Sequence, residues 1–318
     1  MFQTDFIHFL QSFDYAWLKA LMSFISFLGT TPVILVVVLG ITFAIDFKRG
    51  LVLINVIAWT SLLTVLLKEQ IDFPRPMDVD NELTTNYYEV GDQQLRSMEP
   101  SSFFEGFSKE LLEITRNDEF ERWGFPSGHT SLQMAFWMTL FFLFRKQWIK
   151  KMGIALVFLT ILSRIYLGHH FLADTIGGLI LGLIVVLGLT TLVRSSGYLT
   201  ALSHQQKSLS ILWLPATLIP FTGHLSVWVL SSLIGINLAA LLIILQKNFP
   251  VFHVITWKRI LAACIFLLLL ISSIYWVKLA NLFGNDFANL SASSLIIFAI
   301  ALVATYLNNQ LHLIRFRF

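Results

Sequence analysis

Residues 163–193 read SRIYLGHHFLADTIGGLILGLIVVLGLTTLV. The first part carries an arginine, two histidines and an aspartate, and the segment 171–193 is otherwise apolar. An apolar run of about 20 residues is long enough to cross a ~30 Å hydrocarbon core as a helix. Working outward, comparable runs fall at 30–46, 50–69, 128–144, 152–168, 209–223, 225–245, 260–277 and 291–308. The composition agrees: of 318 residues 56% are hydrophobic and 13% charged, and the mean hydropathy is +0.73. That is far more apolar than an ordinary soluble domain. A backbone in lipid must satisfy its own hydrogen bonds, so the runs are read as helices. The expected fold is an all-α polytopic membrane protein with about nine spans. The segment 15–28, YAWLKALMSFISFL, is short, carries Lys19 and is followed by Gly29 and Pro32. It is read as a helix lying in the membrane interface, with a full extra span as the alternative.

The loops alternate in charge. DFKRG, RKQWIKK, Arg194 with Lys207, Lys247 with Lys258 and Arg259, and Arg315 with Arg317 hold 13 of the 22 lysines and arginines. By the positive-inside rule these loops face the cytoplasm. Nine spans then place the N-terminus outside and the C-terminus inside, with every basic loop on one side. The expected location is the plasma (inner) membrane. The opposite side holds one long loop, residues 71–125, with 13 of the 19 acidic residues. Its stretch SFFEGFSKELLEI has apolar residues at helical spacing, which predicts a short amphipathic helix. It is read as a lid or as a solvated insertion. The chain changes character near residue 200, which divides it into a core, 1–199, and a four-span region, 200–318, with RSSGYLTALSHQQKS at the boundary. The N-terminus lacks the basic n-region of a cleavable signal peptide. The single cysteine, Cys264, excludes an internal disulfide and a cysteine metal cluster. The net charge of +3 is small and no nucleic-acid partner is expected.

Polar residues gather at the outer ends of the first five spans. In KEQIDFPRP, Lys68 ends a span and Arg75 lies between Pro74 and Pro76, which stop the helix. In PSGH, residues 126–129, a helix begins at an anion-binding N-terminus. Ser127 offers a cap or a hydroxyl, and Gly128 allows close approach to the backbone. In SRIYLGHHFLAD, Arg164 lies inside an apolar run, where an ionisable residue is a functional suspect. His170 and Asp174 are four apart, so the carboxylate can accept a hydrogen bond from one ring nitrogen and leave the other free to attack or to accept a proton. His169 is read as a bystander.

Taken singly, each group has a plain structural reading as a snorkelling lysine, a helix cap or an interfacial histidine. Together they supply what phosphoryl transfer from a monoester requires. The dianion needs fixed positive partners. A nucleophilic histidine splits hydrolysis into two steps, and a second, protonated histidine supplies the leaving oxygen with a proton. No group of His, Asp and Glu has metal-ligand spacing, so the fixed cations are read as replacing a metal, and no cofactor is expected.

The pattern K-x6-R-P, P-S-G-H and S-R-x5-H-x3-D resembles that of the type 2 phosphatidic acid phosphatase superfamily, whose members include lipid phosphate phosphatases, glucose-6-phosphatase and vanadium haloperoxidases. The resemblance covers roughly residues 16–195. It implies that Lys68, Arg75 and Arg164 hold the phosphate beside Ser127 and the Gly128 amide, that His129 is the general acid, and that His170 is the nucleophile oriented by Asp174. It also implies metal-independent activity and a site at the outer membrane surface. Four spans follow the core here, and the long acidic loop is unusual for the family. The nine-span layout with its N-terminus outside resembles glucose-6-phosphatase in architecture. The reading is a membrane phosphatase acting on a lipid phosphate or diphosphate, with membrane lipids as its other partners. The alternatives are a lipid phosphotransferase using the same intermediate, or a transporter or scaffold built on the C-terminal spans. His224, Asn237 and Asp286 are the polar handles of those spans, and Pro215 and Pro220 interrupt the sixth.

Overall fold

The computed structural model describes residues 1–84, 93–117, 123–196, 198, 210–224, 227–246, 249–252, 256–280 and 286–317. The elements in order are helices α1 (Asp5–Gln11), α2 (Ala16–Leu28), α3 (Thr31–Ala44), α4 (Phe47–Ile71), α5 (Pro76–Val79), α6 (Gln93–Arg96), α7 (Lys109–Asn117), α8 (Gly128–Phe144), α9 (Gln147–Tyr166), α10 (Leu172–Ser195) and α11 (Ser210–Trp213). A 3-10 helix (Leu214–His224) follows, then α12 (Val227–Leu245), strand β1 (Phe249–Phe252), α13 (Thr256–Ala280), α14 (Asp286–Gln310) and strand β2 (Ile314–Arg317). The two strands pair antiparallel, with Phe249 opposite Arg317.

Every expected span except 209–223 falls on a single α-helix. At 209–223 one turn of α-helix gives way to the 3-10 helix containing Pro220. Prolines lack the N–H that an α-helical ladder needs, so the apolar run does not extend as one helix. By length and composition, four stretches among the described residues can cross a membrane: Phe47–Val79, Leu172–Ser195, Val227–Leu245 and Phe287–Gln310. α2 and α3 qualify as a fifth only when counted together as one broken span. α8 has 17 residues, and α9 carries Lys150, Lys151 and Arg164. Exposed Ile180, Ile184 and Leu187 share one face of α10, as a lipid-facing surface requires. The molecule is a helical membrane protein.

The chain forms two compact units, each discontinuous in sequence. The first is Met1–Val33 with Leu63–Val185; the second is Ile34–Leu62 with Val186–Phe318. This division differs from a single boundary near residue 200. Residues 199–209 of the expected boundary, with Lys207, and likewise Lys247, lie outside the described residues.

In the first unit the acidic loop folds onto the N-terminus. Ile7 of α1 packs with Val79, Leu83, Leu95, Leu111, Ile165 and Phe171. The predicted amphipathic helix is α7, although residues 101–108 are not helical. Polar contacts hold the same joint. Buried Asp80 accepts from His8 Nε2 at 2.7 Å, and Arg96 Nε lies 3.3 Å from the same oxygen. Arg96 Nη1 donates to Glu82 at 2.6 Å. His8, Asp80 and Glu82 therefore meet although their spacing in sequence gave no sign of it, and the cation among them is Arg96. Gln11 donates to the carbonyls of Thr84 and Tyr166.

In the second unit the amides of Asn55 on α4 and Asn237 on α12 exchange hydrogen bonds of 3.0 and 2.9 Å. Both residues are buried. Gly235 lets α12 and α14 approach closely: a Cβ there would lie 2.7 Å from the Ser294 carbonyl oxygen.

Candidate active site

All eight expected site residues belong to the first unit. Lys68 stands in the last turn of α4, and its ammonium donates to the Trp123 carbonyl. Arg75 follows, fixed by its backbone N–H donating to the Asp78 carboxylate at 2.6 Å. The PSGH loop lies against this corner. The Gly124 N–H donates to Phe73 O at 2.8 Å, and a Cβ on Gly124 would stand 2.5 Å from Pro74 O. The corner and the helix start are thereby joined across about fifty residues of intervening loop.

Ser127 is fully buried and makes no side-chain cap. Its hydroxyl accepts from Thr130 Oγ1 at 3.2 Å, which leaves its own proton to donate elsewhere. Its N–H donates to Asp174 O at 2.9 Å. The first amides of α8 have no carbonyl ahead of them within the helix. Protein atoms do not demand the glycine at 128: a Cβ there would meet Thr64 Cγ2 at 3.6 Å, an ordinary contact. His129 lies beside Gly29, where a Cβ would approach its ring to 3.3 Å.

Arg164 is buried at 5% exposure and donates from Nη1 to Ser26 Oγ of α2 at 2.8 Å. Next to it, Ser163 Oγ donates to Met22 O at 2.7 Å. α2, read as an interfacial helix with a full span as the alternative, thus supplies a hydrogen-bond acceptor to the arginine. After α9 the chain turns at Gly168, whose φ of +69° is the left-handed conformation glycine adopts readily. This turn brings His170 next to the site. His170 Nδ1 lies 3.2 Å from Asp174 Oδ2, and the same oxygen accepts the Phe171 N–H at 2.9 Å. Asp174 thereby caps the start of α10 and orients the imidazole. With an ionised carboxylate Nδ1 carries the proton, and Nε2 keeps its lone pair. His169, read as a bystander, is also buried, and the charges of Arg164 and Arg75 reach it.

The positive charges of Lys68, Arg75 and Arg164 act on one another, on His129 and on His170. The Asp174 carboxylate acts against them. Arg75 Nε is buried with no acceptor among the described residues, and Asp174 Oδ1 is buried with no donor. Holding like charges together in a low-dielectric region costs free energy that a bound dianion offsets.

Two residues that the sequence reading passed over set the spacing of this site. A Cβ on Gly178 would lie 2.5 Å from Ser127 O, and one on Gly182 would lie 2.6 Å from Ser131 O. These glycines, four apart, let α10 press onto the start of α8, as small residues do between membrane helices. Their spacing was readable in GGLILG; which helix they face was not.

Fold and site together define a polytopic helical membrane protein with a cluster of cations and histidines at the ends of its helices. The model of the PAP2 superfamily matches residues 49–198. The match covers just under half of the chain and supports membership of the type 2 phosphatidic acid phosphatase superfamily, which suggests phosphatase-type phosphoryl hydrolysis. Comparison with curated proteins and with solved structures finds no match. Ser26, which accepts from Arg164, and Gly29, which lies beside His129, fall outside the matched region.

Proposed function

We propose that the protein is an integral membrane phosphatase that hydrolyses a lipid phosphate or diphosphate at the outer membrane face through a phosphohistidine. The observation that carries this reading is the His170–Asp174–Phe171 arrangement. It fixes one ring nitrogen to the carboxylate and leaves the other for attack within the field of Lys68, Arg75 and Arg164.

The three cations, the Ser127 hydroxyl and the amides at the start of α8 hold the phosphate oxygens. They stay in place while charge redistributes, which is where electrostatic catalysis acts. His170 Nε2 attacks phosphorus, forming a P–N bond as the P–O bond to the leaving group breaks. Protonated His129 gives its proton to the departing oxygen. Water then attacks the phosphohistidine, His129 takes the water proton, and orthophosphate leaves with His170 restored. Arginine suits two of the three positions because its planar fork pairs with two phosphate oxygens at once. The basic loops support a site facing the periplasm or cell exterior in the plasma membrane, within a nine-span layout.

The test is orthophosphate release by the purified protein in EDTA. The substrates are isoprenyl diphosphate, isoprenyl phosphate, phosphatidate, phosphatidylglycerophosphate, a lipid A phosphate and glucose 6-phosphate. Release should survive EDTA and fall by about 10³-fold or more in His170→Ala. A His170→Ala protein that turns over at the parent rate would rule out the nucleophile assignment.

A further inference from the structure

Below the phosphate-holding residues, α8, α9 and α10 line a groove of about 240 Å³. Its wall on α9 is formed by Lys150, Gly153, Ile154, Val157, Phe158 and Ile161. Arg164, Ile161, Val157, Gly153 and Lys150 follow one another at intervals of three and four residues, which puts them on one helix face. That face starts at the guanidinium held by Ser26 and ends at an ammonium over the Phe141 ring. Between the two charges the groove is lined by apolar side chains. α8 contributes Met134, Trp137 and Met138, and α10 contributes Leu179. Ile154 and Phe158 at the rim are 61% and 58% exposed, so the groove opens sideways.

The groove floor is fixed in advance. A Cβ on Gly153 would stand 2.7 Å from Trp137 Cβ, so the indole lies flush against the α9 backbone. Trp137 Nε1 donates to Gln133 Oε1 at 2.7 Å, and Gln133 donates to Leu28 O at 3.1 Å. The methionines beside it give a wall that adapts to varied apolar shapes. At 1.5 Å per residue, Arg164 to Ile154 on the groove rim measures about 15 Å, with Lys150 beyond it towards the basic loop. That is about half of a ~30 Å hydrocarbon core, the depth of one leaflet.

We infer that this groove binds the hydrocarbon chain of a single-phosphate lipid whose headgroup sits at Arg164, and so selects substrates by chain. The inference rests on the phosphatase reading for its headgroup. Its own grounds are the place of Ile161 on the groove wall one turn from Arg164 on the same face of α9, the apolar lining and the length. A buried chain contributes about 0.8 kcal/mol per methylene, so binding should grow with chain length until the groove is full.

The experiment uses the full chain in phosphatidylcholine nanodiscs and two photo-probes. One is a hexadecyl monophosphate with a diazirine near its methyl end; the other is the corresponding alcohol. The phosphate probe should label peptides of α8 and α9 around Met138 and Ile154 several-fold more than the alcohol does. Excess inorganic phosphate, Ile154→Trp and Met138→Trp should each remove that difference. Equal labelling by the two probes, or labelling centred on other helices, overturns the tail site. A second readout is hydrolysis of alkyl monophosphates from hexyl to hexadecyl. In the parent protein kcat/KM should climb with chain length, and Ile154→Trp should cut the hexadecyl-to-hexyl ratio about tenfold. Groove labelling without hydrolysis of any member sinks the phosphatase reading and upholds the tail site. Hydrolysis that is indifferent to chain length, with labelling elsewhere, does the reverse.

Discussion

Asp174 uses one oxygen for two purposes. Its Oδ2 caps α10 through the Phe171 N–H and meets His170 Nδ1. Asp174→Asn keeps one acceptor but loses the negative charge, so the imidazole is held less firmly. Steady-state kinetics should show kcat falling about 10–100-fold with KM little changed. An unchanged kcat would mean that the carboxylate serves the helix alone. Arg164 Nη1 donates to Ser26, 138 residues away. Ser26→Ala leaves a buried guanidinium N–H without its acceptor, at about 1–3 kcal/mol, and should raise KM for phosphate substrates while His170 chemistry persists. A fall in kcat alone would count against this positioning role. Fixed spacings on span ends marked Lys68, Arg75, His129, Arg164, His170 and Asp174 as candidates in the sequence. Ser26 was not so marked, since a lone serine in an apolar helix carries no sign of its partner.

At the scale of elements, the approach of α10 to α8 decides whether His170 and the helix start share a site. Gly182→Leu would drive a side chain into the Ser131 carbonyl, and overpacking of this kind costs about 1–3 kcal/mol. Thermal unfolding should shift down, and activity should fall more than folded yield does. Wild-type activity in that variant would show that the contact is dispensable. The N-terminal joint has its own pH dependence. Burial alone would raise the Asp80 carboxyl, but hydrogen bonds from His8, the Glu82 amide and Thr4 outweigh it and hold the group below its ordinary value. A depressed carboxylate stabilises the fold above its unfolded value and loses that contribution as pH falls through its folded value. Limited proteolysis near α1 should therefore accelerate in acid, below the usual carboxylate range, and Asp80→Asn should be fast at neutral pH as well. Equal rates at neutral and acid pH in the parent chain would disprove the linkage. α7 was legible from its helical spacing in SFFEGFSKELLEI. The docking of α1 onto the acidic loop was not, because Ile7, Val79 and Leu111 meet across long separations.

For the whole molecule, composition and hydropathy were enough to read helices and a membrane, because lipid leaves few other solutions. The partition into units was beyond them. Residue 200 marks a change in composition, whereas compactness follows packing, and the second unit takes in Ile34–Leu62 as well as Val186–Phe318. Residues 1–199 expressed alone should then leave Asn55 without Asn237, and the fragment should aggregate on size-exclusion chromatography in detergent. A monodisperse, active fragment would show that the C-terminal helices are an addition to a self-sufficient core. Asn237→Leu in the full chain should cost about 1–3 kcal/mol by leaving the buried Asn55 Oδ1 without its donor, while Asn55 Nδ2 keeps the Leu51 carbonyl. The Asn55–Asn237 pair also bears on how the protein is made. The ribosome releases Asn55 long before Asn237, so the early helix enters the bilayer with a polar amide awaiting its mate. Until the late helices arrive, the Asn55 amide has the Leu51 carbonyl of its own helix to donate to, and the buried pair is completed only afterwards.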